Sequence, residues 1–306
     1  MLRGTAASTN STYAPRQRMF VEFAESIGST PLPASEGTLL RYVSALHSLN
    51  RKSSTISGHL SAVRHLHLIN GLPDPLPGCH RLELVKRGIA KQSAPSEQRV
   101  ALTNQHLLRF LDFLVLSTYG DALFFAMATL GFFGFFRISE MTFAGPVFSA
   151  QDGLTPSDIT FADGRVTILL RRSKTDKRRE GVTVTLAENP TLVCPRKALS
   201  LYLRLRDARF PHLDPRTSPL FVTHEGKPVD KPSFSSCLSD FAKKIGLVGL
   251  VTPHSLRIGA ATAAWKSGFS DSQIQSMGRW KSRSFTRYLR VDADTLASLS
   301  VRLGDP

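Results

Sequence analysis

The feature that most constrains this chain is a run of 15 residues, 122–136, in which nearly every side chain is apolar. The run contains Thr129, Gly131 and Gly134 and is followed directly by Arg137. A helix that crosses a membrane needs about 20 apolar residues, so this shorter run predicts a helix buried in a protein core. The chain of 306 residues, 42% hydrophobic and 21% charged, is long enough to bury two ordinary domains around such elements.

The chain carries a formal net charge of +15, with an excess of Lys and Arg in both halves. Charge spread in this way indicates a polyanion held along the whole molecule, and nucleic acid is the leading candidate. A membrane surface is the weaker alternative, because no basic amphipathic helix with Trp anchors is apparent and residues 1–14 lack an apolar signal core. Cys79, Cys194 and Cys237 fit no metal-ligand spacing, so we predict reduced thiols and no metal site.

Residues 1–95 are predicted to form a helical domain, because apolar residues recur at helical spacing over four segments between residues 13 and 90. Ser35 is a candidate helix cap, and the proline-rich stretch 71–78 must be a turn. Basic side chains project from several of these helices. They fit a solvated surface or contacts with DNA phosphates, and they include Arg64, Lys86, Arg87 and Lys91.

A polar, proline-interrupted stretch, 92–99, marks the boundary to a second domain over residues 96–306. Two helices are predicted at about 104–118 and 121–136, followed by β-branched strands at 165–170 and 181–186. Further helices are predicted over 195–206, 233–245 and 254–267, with a short strand at 219–222. The capping box of Ser270 and Gln273 predicts another helix, and Ser282 a last one. The predicted fold class is therefore mainly α with a small β-sheet.

The segment between the two strands, 171–179, holds six basic residues in nine. An exposed hairpin with this charge repels itself unless it is solvated or faces an anion. A nuclear-localisation signal is the weaker alternative to a hairpin that reaches towards phosphate. The basic residues are Arg171, Arg172, Lys174, Lys177, Arg178 and Arg179.

Thr252 and Pro253 predict a helix start, on which His254 and Arg257 share one face. With Tyr288, they would bring a proton-transfer group, a cation and a phenol to one anion. The same His-x-x-Arg pattern recurs at His106, however, and a Trp and a Tyr near a C-terminus are usually core aromatics. This motif alone does not decide between a site and a core.

Further motifs extend over nearly the whole chain, and with them the sequence resembles the tyrosine recombinases, or phage-integrase-like recombinases. It is most similar to their eukaryotic mobile-element branch, found in DIRS-like and Ngaro-like retrotransposons and in Cryptons. The motifs are Pro31-Leu32-Pro33-Ala34-Ser35-Glu36, Leu60-Ser61-Ala62-Val63-Arg64-His65-Leu66-His67, Gly71-Leu72-Pro73-Asp74-Pro75, Gly131-Phe132-Phe133-Gly134-Phe135-Phe136-Arg137, Ser173-Lys174-Thr175-Asp176, His254-Ser255-Leu256-Arg257-Ile258-Gly259 and Gly278-Arg279-Trp280-Lys281-Ser282.

The resemblance implies a core-binding (SAM-like) domain over residues 1–95 and a catalytic domain over 96–306 that together form a C-shaped clamp on DNA. Tyr288 lies eight residues after Trp280, whereas many bacterial and phage members have nine. By residue matching, the active site would consist of Arg137, the supporting carboxylate Glu140, Lys174, His254, Arg257, Trp280 and the nucleophile Tyr288.

The implied reaction is attack of the Tyr288 oxygen on a DNA phosphodiester, which gives a 3′-phosphotyrosine and a free 5′-hydroxyl. Two guanidiniums would stabilise the transition state, so no metal and no cofactor are predicted. Partners would be double-stranded DNA and a homo-tetramer on paired DNA sites, with no membrane. The tail, through Leu296, Leu299 and Leu303, would dock on a neighbouring subunit. We expect a nuclear location in a eukaryotic host.

Two other functions fit the same sequence. One is a domesticated, catalytically inactive DNA-binding protein that kept the fold. The other is a type IB topoisomerase-like enzyme that nicks and reseals alone. The presence of every implied catalytic residue favours the recombinase.

Overall fold

The computed structural model describes residues 7–93, 97–143, 147–171, 180–291 and 293–302. The chain divides into two compact units, Met1–Ser96 and Glu97–Pro306. The boundary predicted from the polar stretch, after residue 95, lies one residue from this division. In the described ranges, no helix is both long enough and apolar enough to cross a membrane.

The first unit is helical, as its apolar periodicity predicts. Ser35 caps the second helix, where its hydroxyl accepts a hydrogen bond from the Thr38 N–H at 3.1 Å. Phe20, Leu39 and Tyr42 are fully buried and form the core with residues of the other helices. The helices are α1 (Ala7–Ser26), α2 (Glu36–Ser48), α3 (Ser53–Ile69) and α4 (His80–Gln92).

The second unit consists of helices and a small antiparallel sheet, which confirms the predicted fold class. Three short 3-10 turns, at 111–113, 156–158 and 283–288, connect its elements. The helices are α5 (Asn104–Phe110), α6 (Tyr119–Phe133), α7 (Ile138–Met141), α8 (Pro195–Arg209), α9 (Lys231–Lys244), α10 (Pro253–Lys266), α11 (Asp271–Gly278) and α12 (Ala293–Arg302).

The sheet has three strands in the order β1 (Ile159–Ala162), β2 (Arg165–Leu170) and β3 (Val182–Ala187). Ile168 of β2 pairs with Ile159 on one side and Val184 on the other. The prediction included β2 and β3 but missed β1, which is only four residues long and mostly exposed. The strand predicted at 219–222 is wrong, because that segment makes only a single bridge, between Val222 and Pro228.

Helix α6 is the buried element that the apolar run predicts, with 11 of its 15 residues buried. It ends at Phe133, earlier than predicted, because Phe135 has a φ of +50°, which the helix cannot accommodate. The preceding helix, predicted to reach residue 118, ends at Phe110. Thr118 instead caps α6, accepting a hydrogen bond from the Asp121 N–H. The segment 134–137, the corner after α6, directs the residues from Phe135 onward towards α10.

Candidate active site

Helix α10 supplies two of the predicted site residues, His254 and Arg257, from its first two turns. Its cap differs from the prediction: Ser255 Oγ accepts a hydrogen bond from the Thr252 N–H at 3.1 Å. The Thr252 hydroxyl oxygen itself is buried and has no hydrogen-bond partner among the described residues. The helix therefore begins where predicted, but Ser255 provides the capping oxygen.

The segment before α5 crosses the start of α10 at very close range. The Val100 N–H donates to the Leu250 carbonyl at 2.9 Å, and the Leu102 N–H donates to the Ser255 carbonyl at 3.0 Å. A Cβ added at Gly259 would lie 1.6 Å from the Leu102 carbonyl oxygen, so only glycine allows this crossing. The crossing fixes the orientation of the His254 turn.

Arg257 is almost completely buried, with 1% of its surface exposed. Its terminal nitrogens donate to the carbonyls of Phe135 and Gly278, and the indole ring of Trp280 lies 4.3 Å from its guanidinium carbon. Burial, followed by the charge of Arg137, lowers the pKa of Arg257 to about 9. The guanidinium therefore keeps its charge at neutral pH.

Arg137 and Glu140 lie at the corner that follows α6. The Arg137 guanidinium donates to one Glu140 carboxylate oxygen at 2.9 Å, and the Arg137 backbone N–H donates to the other at 2.9 Å. The two side chains form an ion pair, and Arg137 is the N-cap residue of the short helix α7. The Arg137 side chain is 19% exposed, so this guanidinium is open to an incoming anion.

Tyr288 lies at the end of the 3-10 turn 283–288, where an α-helix was predicted. The Thr262 hydroxyl donates to the Tyr288 carbonyl at 3.2 Å and accepts from the Arg290 N–H at 3.1 Å, which ties this turn to α10. The phenol ring lies 4.8 Å from the His254 ring and 5.4 Å from the Trp280 ring, measured between centroids. The phenol, imidazole and indole thus form one aromatic group over Arg257.

The pKa of His254 is lowered to about 4. The main cause is burial, and the cations Arg99, Arg257, Arg137 and Arg290 follow in that order. The imidazole is consequently neutral at pH 7 and able to accept a proton. Arg99, which was not predicted from the sequence, reaches this position because its segment is bonded to Leu250 through Val100 and to Ser255 of α10 through Leu102.

Arg279 also belongs to this site, although its place in the motif Gly278-Arg279-Trp280 predicted no role for it. Its guanidinium donates to the carbonyls of Gly134 and Phe135 at 2.9 and 3.1 Å and to Glu140 at 2.9 Å. No neighbouring residue in the sequence marks this role, because all three acceptors lie more than 130 residues earlier in the chain.

The site therefore combines three guanidiniums, of Arg137, Arg257 and Arg279, with one contacting carboxylate among the described residues, that of Glu140. Such an excess of positive charge suits an anion that binds next to the phenol and the neutral imidazole. Arg257 has little exposed surface, and the Phe135 and Gly278 carbonyls accept hydrogen bonds from its terminal nitrogens, so an anion that reaches the guanidinium competes with these carbonyls.

The structure thus brings together six of the seven predicted catalytic residues. Lys174, the seventh, lies outside the described residues, as do four of the basic residues predicted to contact DNA. Those four are Arg172, Lys177, Arg178 and Arg179.

The other predicted DNA contacts differ in how their charges are paired. Arg87 and Lys91 are exposed on α4. Arg64 contacts Asp74 at 2.6 Å, and Lys86 contacts Glu83 at 2.7 Å.

Arg171 is held from two sides, by the buried carboxylate of Asp158 at 2.8 Å and by the Ala150 carbonyl at 2.8 Å. These contacts anchor the end of β2, so DNA binding by Arg171 would compete with an internal ion pair.

Comparison with known proteins identifies relatives of this arrangement. Residues 149–294 match the phage integrase family. An integrase/recombinase xerD homolog of Selenomonas ruminantium is 26% identical over 305 residues, which cover 94% of this chain and 82% of that protein.

Solved structures share the fold. A XerH site-specific recombinase bound to palindromic difH substrate aligns with a TM-score of 0.67 at 16% identity, over 97% of this chain and 80% of that one. The Tn1549 transposon integrase in complex with transposon right end DNA aligns with a TM-score of 0.64 at 15% identity, over 99% of this chain and 96% of that one. A lambda integrase tetramer bound to a Holliday junction aligns with a TM-score of 0.57 at 16% identity, over 94% of this chain and 73% of that one.

Proposed function

We propose that this chain, which carries a phage integrase family domain over residues 149–294, is a tyrosine recombinase that cleaves and rejoins DNA strands through a 3′-phosphotyrosine. The observation that carries the proposal is the 4.8 Å approach of the His254 and Tyr288 rings, directly beside Arg257. A phenol, a neutral base and fixed cations are the groups that metal-independent transfer of a phosphodiester requires.

In the cleavage step, the Tyr288 oxygen attacks the scissile phosphorus. A bond forms between that oxygen and phosphorus, and the bond from phosphorus to the 5′-oxygen breaks. The Tyr288 hydroxyl must lose its proton as it attacks, because the oxygen of the phosphotyrosine carries no hydrogen. His254 receives the proton, because its neutral imidazole lies against the phenol ring and the negative charge of the bound phosphodiester favours the imidazolium. By its match to the family motif, Lys174 protonates the leaving 5′-oxygen.

The pentacoordinate transition state accumulates charge on the non-bridging oxygens. Arg137 and Arg257 hold those oxygens through charge-assisted hydrogen bonds. Loss of one such donor typically lowers a rate by about 10²–10³. The indole of Trp280 lies against the face of the Arg257 guanidinium, where it is placed to pack against the bound phosphate.

We also propose that the protein acts as a homo-tetramer on paired DNA sites and that α12 docks on a neighbouring subunit. Leu296 supports this docking, because it is a large apolar residue of α12 with 57% of its surface exposed. The side chains of Leu299 and Leu303, the other two residues of the predicted stripe, lie outside the described residues. Deletion of the residues after Arg290 should weaken tetramer assembly on DNA in sedimentation experiments, and undiminished assembly would contradict the docking.

We further propose that the chain belongs to a eukaryotic mobile element of the DIRS-like, Ngaro-like or Crypton type. The protein then acts in the nucleus. The support for this origin is the resemblance of the motifs Gly278-Arg279-Trp280 and His254-Ser255-Leu256-Arg257 and the spacing of eight residues to Tyr288. Expression of the full chain with a fluorescent tag in eukaryotic cells tests the location. A tag that stays outside the nucleus would contradict it.

The decisive experiment for the activity uses DNA selected by this protein from a random pool, prepared as a nicked suicide substrate. We expect a covalent protein–DNA adduct that persists in EDTA, is lost in Tyr288→Phe and is retained in Tyr13→Phe, a control in the other unit. Retained DNA binding without any adduct would support the inactive binding protein. An adduct without exchange between two DNA molecules would support the topoisomerase-like enzyme.

A further inference from the structure

Arg279 occupies an unusual place, since the proposed mechanism uses Arg137 and Arg257 but not this third guanidinium. It follows α11 in the left-handed conformation, with φ 55° and ψ 42°, and its side chain is 7% exposed. A non-glycine residue in this conformation turns the chain sharply. The turn sends the Arg279 side chain towards the corner after α6 and the next side chain, Trp280, towards Arg257.

Two acceptors of Arg279 are each shared with one of the two arginines that the mechanism uses. The Phe135 carbonyl accepts hydrogen bonds from both Arg257 and Arg279. The Glu140 carboxylate accepts from both Arg137 and Arg279. Arg279 is therefore linked to Arg257 through one shared carbonyl and to Arg137 through one shared carboxylate.

The planar guanidinium is what makes this double link possible. Its terminal nitrogens reach three acceptors, the oxygens of Gly134, Phe135 and Glu140. Its central carbon also lies 5.2 Å from the ring centre of Phe136. A lysine would carry the same charge on a single nitrogen and could not span both acceptors in fixed directions. The arrangement thus specifies arginine and not merely a cation.

We propose that Arg279 is a positioning residue that holds the Phe135 carbonyl and the Glu140 carboxylate so that Arg257 and Arg137 face the same phosphate. The inference rests on the proposed function and deepens it. Arg279 does not touch the reacting atoms; it sets the relative placement of the two guanidiniums that do. Misplacement of such groups by about 1 Å can cost about 10²-fold in rate.

The test compares Arg279→Met and Arg279→Lys with Arg283→Met, a control at an exposed arginine paired with Asp271 on the same segment. In Arg279→Met, Phe135 and Glu140 each keep one guanidinium partner, so the fold should persist, as thermal unfolding will verify. We expect DNA affinity within about two-fold of the parent and single-turnover adduct formation lowered by about 10–10². Arg279→Lys should recover only part of the rate, and Arg283→Met should keep all of it.

A second readout needs no catalysis. Inorganic phosphate should raise the thermal unfolding temperature of the parent and of Arg283→Met, with an affinity at least about ten-fold weaker in Arg279→Met. Equal phosphate affinity and equal adduct rates in folded Arg279→Met would overturn the inference, as would a parent that binds no phosphate at all. A parent that binds phosphate but forms no adduct would count against the recombinase activity while leaving the positioning role to be decided by phosphate affinity.

Discussion

The imidazole ring of His254 lies 4.8 Å from the phenol ring of Tyr288, with their planes inclined at 59°. The two residues are 34 positions apart in sequence but belong to segments that Thr262 ties together through its hydroxyl. The relationship brings a base and a nucleophile together before any DNA is bound. Its consequences are testable through the protonation of His254.

We expect His254 to remain neutral down to about pH 4, because burial and the Arg99 charge lower its pKa from 6.5 to about 4. The unfolded chain binds this proton more readily than the folded protein, so protonation favours unfolding. The stability contribution of His254 is therefore complete above about pH 6.5 and is lost as the pH falls towards 4. NMR titration of the imidazole checks the pKa, and urea unfolding against His254→Asn checks the stability. A His254 resonance that titrates near pH 6.5 would refute this expectation.

Replacing Arg99 by Gln should raise the pKa of His254, since Arg99 is the largest of the charge contributions that lower it. The direction follows from the loss of a like charge next to the imidazolium. NMR titration of His254 in Arg99→Gln and in Arg204→Gln, an exposed arginine of α8, provides the comparison. A shift of equal size in both variants would show that net charge alone is responsible.

Gly278→Ala should displace Trp280 from Arg257, because the added Cβ would lie 1.6 Å from the indole ring. We expect a destabilisation of about 1–3 kcal/mol from this overpacking. Gly88→Ala is the matched control, since nothing lies within 4 Å of its Cβ position in α4. It should be neutral or stabilising by up to about 1 kcal/mol. Denaturant unfolding gives both values, and Trp280 fluorescence in a Trp265→Phe background reports the displacement.

Glu140→Gln should destabilise the protein strongly, because it leaves Arg137 and Arg279 without their shared carboxylate in a site where that side chain is only 4% exposed. Breaking a buried pair from one side typically costs about 3–5 kcal/mol. Glu188→Gln removes a carboxylate that is 35% exposed and contacts Arg196 and Lys197, and should cost about 0–1 kcal/mol. Equal losses of unfolding free energy in the two variants would be inconsistent with an electrostatic role for Glu140.

The sequence predicted those helices and strands that depend on interactions between residues close together in the chain. The apolar run defined α6, the β-branched runs defined β2 and β3, and Ser270 with Gln273 formed the predicted capping box of α11. These features depend on side-chain periodicity or on hydrogen bonds between near neighbours in the chain. That is why a single sequence contains enough information to place them.

The remaining features depend on contacts between distant segments. Phe135 adopts a positive φ at a corner whose carbonyl accepts hydrogen bonds from Arg257 and Arg279, more than 120 residues away. Nothing local marks Phe135 for this conformation, so the sequence predicted continued helix instead. Arg279 was likewise passed over, because its acceptors come from the corner after α6 and not from its own neighbourhood.

The crossing of Leu102 over Gly259 has a practical consequence for dissecting the protein. The orientation of His254 depends on the backbone segment 99–102. This segment precedes the first helix of its unit and is hydrogen-bonded to Leu250 and Ser255. A fragment that begins at Asn104, the first residue of α5, would retain every proposed catalytic side chain. It would nevertheless lose the two backbone hydrogen bonds that orient His254. A fragment of this unit that keeps these hydrogen bonds therefore starts upstream of Arg99.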